Sequence, residues 1–156
     1  MNLQTNDEPS EEQIDTAIEA VRNLYETRIE AILAGMRKHL IAQGWSVPNA
    51  AYEMSDGEYS WWLSAYRPDG GEEEDNMVDV RFEIAESRSY DGDQPFGINF
   101  GLEAVEWGGR PVTEVMPYNF TDQVWVDARD AQAVEERFKL IETVDLDAFA
   151  AHMTES

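Results

Sequence analysis

Hydrophobic and polar residues alternate strictly in the middle of the chain, and three runs between Glu58 and Glu106 carry the pattern. In the second run Val78, Val80, Phe82 and Ile84 alternate with Asp79, Arg81 and Glu83. A period of two with one apolar and one charged set marks a strand with one dry and one wet face. A strand buried on both faces is apolar at nearly every position, so the pattern predicts an antiparallel sheet. The third run sets Phe96, Ile98, Phe100, Leu102 and Ala104 against Gly97, Asn99, Gly101 and Glu103. The first sets Tyr59, Trp61, Leu63 and Ala65 against Ser60, Trp62, Ser64 and Tyr66. The three apolar rows are expected to share an inner face and the three polar rows a wet outer face.

Turn chemistry separates the runs. Pro68-Asp69-Gly70-Gly71 leads into the acidic tip Glu72 to Asp75, and Tyr90-Asp91-Gly92-Asp93-Gln94-Pro95 breaks the chain again. Gly108-Gly109 suits a two-residue hairpin that needs positive φ twice, which places a fourth strand at Pro111 to Tyr118. Pro111 and Pro117 predict an edge position for it. Short strands are also expected within Trp45 to Met54, interrupted by Pro48-Asn49, and at Val124 to Val126.

The pattern before the sheet is helical. Ser10-Glu11-Glu12-Gln13 matches a capping box. Ile14, Ile18, Val21, Tyr25, Ile29, Ile32, Met36 and Leu40 then recur every three or four residues, and Gly44 is placed to end the helix. Such a helix is about 50 Å long at ~1.5 Å per residue, whereas five strands span roughly 20–25 Å. It should therefore overhang the sheet, bend near Ala34-Gly35, or pair with a second copy. After the sheet, Asp127 or Asp130 caps a second helix whose stripe is Ala131, Val134, Phe138 and Ile141. A last short turn, capped by Asp145 or Asp147, carries Leu146, Phe149 and Met153.

These elements predict an α+β fold: a long N-terminal helix packed on a four- to five-stranded antiparallel sheet, with a second helix near the C-terminus. Residues 1–9 read as a disordered segment and residues 10–156 as a single domain, which suits 156 residues that are 42% hydrophobic. The order helix, meander, helix resembles that of secretion-chaperone-like and cystatin-like domains. The likeness lies in element order alone and brings no function with it.

Charge sharpens the picture. Thirty-three acidic and eleven basic residues give a formal charge of -22, and only Lys38 and Lys139 among the bases are lysine. The excess is -4 over residues 1–43, -10 over 44–94 and -8 over 95–156, so it is a coat and not a tail. This composition resembles cytosolic proteins of extremely halophilic archaea. In molar salt the screening length falls to ~3 Å, and self-repulsion that would destabilise the compact state at low salt is muted. A mimic of nucleic acid that inhibits a basic protein is the competing reading, but mimicry does not require lysine depletion.

Several chemistries are disfavoured. The absence of cysteine removes disulfides, thiolate catalysis and cysteine metal sites, and fits a cytoplasmic protein. No apolar run approaches the ~20 residues of a membrane span, and the first residues do not read as a signal peptide. His39 and His152 form no His-x-x-x-His pair, so no zinc site is expected. Nucleophile elbows and phosphate-binding loops are missing. Asp91-Gly92-Asp93 and Asp69 to Asp75 lack the spacing of an EF-hand. Asp79, Glu83 and Glu86 with Arg88 resemble the metal-binding strand pair of restriction-type nucleases, but the lysine of that pattern is absent, and no basic surface awaits a phosphate backbone. No catalytic residue, metal or cofactor is therefore expected, nor a nucleic-acid or membrane partner.

The aromatics remain. Trp61 falls on the inner row, and Trp107 and Trp125 bracket the fourth strand, where they suit packing at the sheet ends. Trp62 and Tyr66 fall on the outer row, where Arg81 and Asn99 are expected to join them, with a shallow hollow at Gly97 and Gly101. An aromatic beside an arginine and an amide can hold a peptide or flat ligand by stacking. Aromatic cover of the strand glycines is the plainer use of the same residues. Two functions follow as expectations. One is a non-enzymatic interaction protein whose partner is another protein or, in a homodimer, a second copy of itself. The other is a small-ligand-binding domain or enzyme of cystatin-like type with a pocket between helix and sheet.

Overall fold

The computed structural model describes residues 10–53, 59–87, 97–106, 111–115 and 125–155. Helix α1 (Glu11–Ala42) precedes strands β1 (Tyr52–Glu53), β2 (Ser60–Tyr66), β3 (Met77–Ser87), β4 (Gly97–Glu106) and β5 (Pro111–Val115). A single 3₁₀ turn at Glu74–Asn76 lies at the acidic tip. Helices α2 (Ala131–Glu142) and α3 (Leu146–Glu155) end the chain. The strands form one antiparallel sheet in the order β1-β2-β3-β4-β5, a meander with no crossover. The break at Tyr90 to Pro95, the Gly108-Gly109 hairpin, Trp107 and the N-terminal segment lie outside the described residues.

The alternation sorts the sheet as expected on its inner face. Trp61, Leu63 and Ala65, then Val78, Val80, Phe82 and Ile84, then Ile98, Phe100, Leu102 and Ala104 are all buried in one cluster with the stripe of α1. A side chain of this size contributes roughly 1.5–3 kcal/mol when fully buried. Phe138 of α2 completes an aromatic group, with ring centroids 4.6 Å from Tyr25, 5.8 Å from Phe82 and 5.2 Å from Phe100.

The start of α1 is the capping box read from the sequence: Gln13 N donates to Ser10 Oγ, and Ser10 N to Gln13 Oε1. Its end is Gln43 followed by Gly44 at φ 95°. Of the three expected accommodations of the helix length, the bend near Ala34-Gly35 does not occur. Helix α1 is unbroken through Gly35, and its buried residues run from Ile14 to Leu40. Helix α3 covers the half that the sheet does not reach. A Cβ at Gly35 would stand 3.1 Å from Leu146 Cδ1, so the glycine serves a close helix approach and not a bend. The chain's own last helix, longer than the short turn expected, lies against α1 there.

The edges also differ from the sequence reading. Among the described residues the leading strand is Tyr52–Glu53, with an isolated bridge from Ser46 to Tyr66. Among them too, Val126 makes a bridge opposite Ile98 on β4. Asp130 is the cap of α2, its Oδ1 accepting from Ala133 N, while Asp127 pairs with Arg129.

A charged clamp fastens α2 to α1. Arg28 donates to Glu135 through Nη1 and Nη2 at 2.8 and 2.9 Å, and to Glu142 through Nε at 2.9 Å. Tyr25 Oη donates to Glu135 Oε1 at 2.7 Å. The hydrogen bonds from Arg28 and Tyr25 hold the Glu135 carboxyl down to about 2, while burial pushes the Tyr25 phenol up to about 12. A depressed carboxylate stabilises the fold above its unfolded pKa, and that contribution is lost as pH falls through the folded value. The melting-temperature gap between wild type and Glu135→Gln is therefore expected to be full above pH ~4.3 and to close as pH falls to about 2. A gap constant across that window in a pH series of thermal melts would refute the clamp.

Candidate functional site

The outer face of the sheet does not have the uniformly wet character that alternation predicts. On β4 the outer residues Asn99 and Glu103 are only 3% and 2% exposed, and Val105 is buried too. Two contacts from the C-terminal segment account for part of this cover. A Cβ at Gly97 would stand 2.7 Å from Trp125 Cβ, so Trp125 lies over that glycine and fills its end of the expected hollow. The bridge at Val126 brings Trp125 there. Arg137 of α2 donates through Nη2 to Asn99 Oδ1 at 3.0 Å. Of the outer residues of β2 and β3, Ser60 and Ala85 are buried, while Trp62, Ser64, Tyr66, Asp79, Arg81 and Glu83 remain half-buried, so this face has a covered part at β4 and a half-open one at the middle of β2 and β3.

The register fixes which side chains meet. Tyr52, Trp62, Arg81, Glu103 and Glu114 are successive cross-strand partners over all five strands. The Arg81 guanidinium carbon lies 5.3 Å from the Trp62 ring centroid, a cation–π contact. The indole is held at its edge by its own strand, Trp62 Nε1 donating to Ser60 Oγ at 3.1 Å. Arg81 Nη2 forms an ion pair with Glu103 Oε1. Arg81 Nε and both Glu103 oxygens are buried. Next to it Ser64 Oγ donates to Asp79 Oδ1 at 2.7 Å, and burial pushes the Asp79 carboxyl up against the opposing pull of that bond.

Of the four residues expected to form a site, the fold joins Trp62 and Arg81 and separates the other two. Tyr66 pairs with Met77 and Asn99 with Ala85, each four positions from the Trp62–Arg81 row and at opposite ends of it. Four strand positions are about 13 Å. Asn99 belongs to the docking of α2. Glu103 is the member missed by sequence reading, which placed it among solvated acids. The signal that reveals it is the register, since that sets an acid directly opposite Arg81.

A second feature lies away from this face. A groove of about 840 Å³ is lined by Asp15, Thr16, Glu19, Ala20 and Asn23 of α1, with Tyr59 and Glu86 from the ends of β2 and β3. Among the described residues no group of three acidic or histidine side chains is placed to hold a metal ion. No helix among them is long and apolar enough to cross a membrane.

The fold and this row define an α+β meander protein with helices on one sheet face and an aromatic–arginine contact on the other. No family model, no curated protein and no solved structure matches the chain.

Proposed function

We propose that this chain is a binding domain that holds a flat, neutral, amide-bearing ligand, such as a peptide segment, on the half-open part of the sheet's outer face. The observation that carries this reading is the Trp62 indole packed against Arg81, beside Tyr52 at 52% exposure. An indole offers an amide a stacking surface, and an arginine offers its carbonyl a donor. Both interactions survive salt that screens charge attraction to ~3 Å. Saturation-transfer NMR with N-acetylglycinamide in molar KCl tests the reading. Transfer is expected for wild type and its loss for Trp62→Ala; equal transfer to the variant would sink the proposal.

The groove at α1 favours a second reading, a small-ligand site between helix and sheet. Its described lining carries three carboxylates, which would select a cationic ligand such as an organic amine. Binding of spermidine weakened by Glu19→Gln would support it, and unchanged binding would argue against it.

The setting proposed for either activity is a salt-rich cytosol. With a formal charge of -22 on 156 residues, the melting temperature is expected to rise continuously from low salt to molar KCl as repulsion is screened. A melting temperature independent of salt would contradict this setting.

A further inference from the structure

We infer that Glu103 is a positioning residue that turns Arg81 from an anion receptor into a selective donor to neutral carbonyl groups; this deepens the binding reading given above and rests on it. Arg81 stands between two fixed partners in register, Trp62 on β2 and Glu103 on β4. Glu103 is 2% exposed and Arg81 23% exposed, so the carboxylate is withdrawn from solvent while part of the arginine side chain is not. The charge of Arg81 is therefore answered from inside the protein. Its Nε is enclosed and its Nη2 meets Glu103. Nη1 is the nitrogen left to serve a ligand.

A carboxylate or phosphate would have to compete for the guanidinium with Glu103, which is 2% exposed and whose charge molar salt therefore screens little. A neutral carbonyl has no such cost, because it needs one N–H donor and a flat surface. Glu103 thus both aims the guanidinium across the indole and sets the class of ligand.

The test is a pair of titrations of ¹⁵N-labelled full-length protein in molar KCl, one with N-acetylglycinamide and one with N-acetylglycinate. In wild type the amide is expected to shift the Trp62 indole and Arg81 signals and to bind about tenfold tighter than the carboxylate, the scale of one charge-assisted hydrogen bond. In Glu103→Gln the preference should collapse or reverse, and in Glu103→Asp it should return. A merely structural role would weaken both ligands together, so an unchanged ratio in Glu103→Gln overturns the assignment while leaving the site intact. If neither compound moves Trp62 or Arg81, the site reading itself fails and the inference with it. Wild type supplies an independent readout should Glu103→Gln not fold. Held between Trp62 and Glu103, the Arg81 guanidinium should show hindered rotation and separate Nη signals, and a single averaged signal overturns the positioning role.

Discussion

Glu103→Gln is expected to lower the unfolding free energy by about 3–5 kcal/mol, the cost of removing one member of a buried ion pair. The size follows from burial. Glu103 is 2% exposed, and its partner Arg81 has its Nε buried without a hydrogen bond. Removing the carboxylate charge leaves the guanidinium desolvated with no opposite charge beside it. An exposed pair would be worth only ~0–1 kcal/mol. Because the carboxylate is enclosed, molar salt should screen the pair less than the surface coat. The loss should therefore be similar at low and high KCl, although both proteins become more stable as salt is added. Removing both charges together, in Arg81→Met with Glu103→Leu, should recover most of the loss, since apolar replacements of buried pairs are often neutral or stabilising. Denaturant unfolding of the two single variants and the double variant checks this. A Glu103→Gln protein within ~0.5 kcal/mol of wild type, the range of ordinary surface changes, would show that the pair carries no structural weight.

Phe138→Ala is expected to cost a similar amount, about 3–5 kcal/mol, by transfer and cavity terms together. Phe138 is fully buried, and its ring meets Tyr25 of α1, Phe82 of β3 and Phe100 of β4. The Arg28 guanidinium also lies 4.7 Å from its centroid. One side chain thus joins α2 to α1, to the sheet and to the charged clamp. Its loss should reduce the dependence of stability on Glu135, because Arg28 would no longer rest on a packed ring. A double-mutant cycle of Phe138→Ala with Glu135→Gln measures this coupling. Strict additivity would show that the clamp and the aromatic group act independently.

How far the sequence foretold the structure depended on whether a feature was local or long-range. The period of two at Val78 to Ile84 was enough to sort every described inner residue, because a strand has only two faces. The capping box at Ser10 and the stop at Gly44 were legible for the same reason, since both are satisfied within one turn. The outer face was not legible. Whether Asn99 meets water depends on elements that follow β4 in the chain, such as Trp125 over Gly97 and Arg137 on Asn99. Residue spacing along a strand carries no information about a later element laid across it. The fate of the C-terminal half of α1 was hidden likewise. A length comparison of helix and sheet implied an uncovered end, and only the full extent of α3 closes it.

The candidate site shows the same division. Trp62 and Tyr66 share a face by parity, which the sequence states, but Arg81 joins Trp62 and not Tyr66 through register, which it does not state. Register is set by turns and by the fit of the inner row. Once known, it turns a list of four outer residues into one contact, Trp62 with Arg81, and adds Glu103 beside it.

The central claim is that ligand recognition lies on the half-open outer face. The most direct measurement is chemical-shift mapping of the ¹⁵N-labelled protein in molar KCl against a pool of short blocked peptides. The Trp62 indole, the Arg81 guanidinium and the Ser64 amide are expected to move together, with the amides of α1 unaffected. Shifts confined to Thr16, Glu19 and Asn23 of the groove, with Trp62 and Arg81 still, would contradict the account and move the site to the opposite side of the molecule.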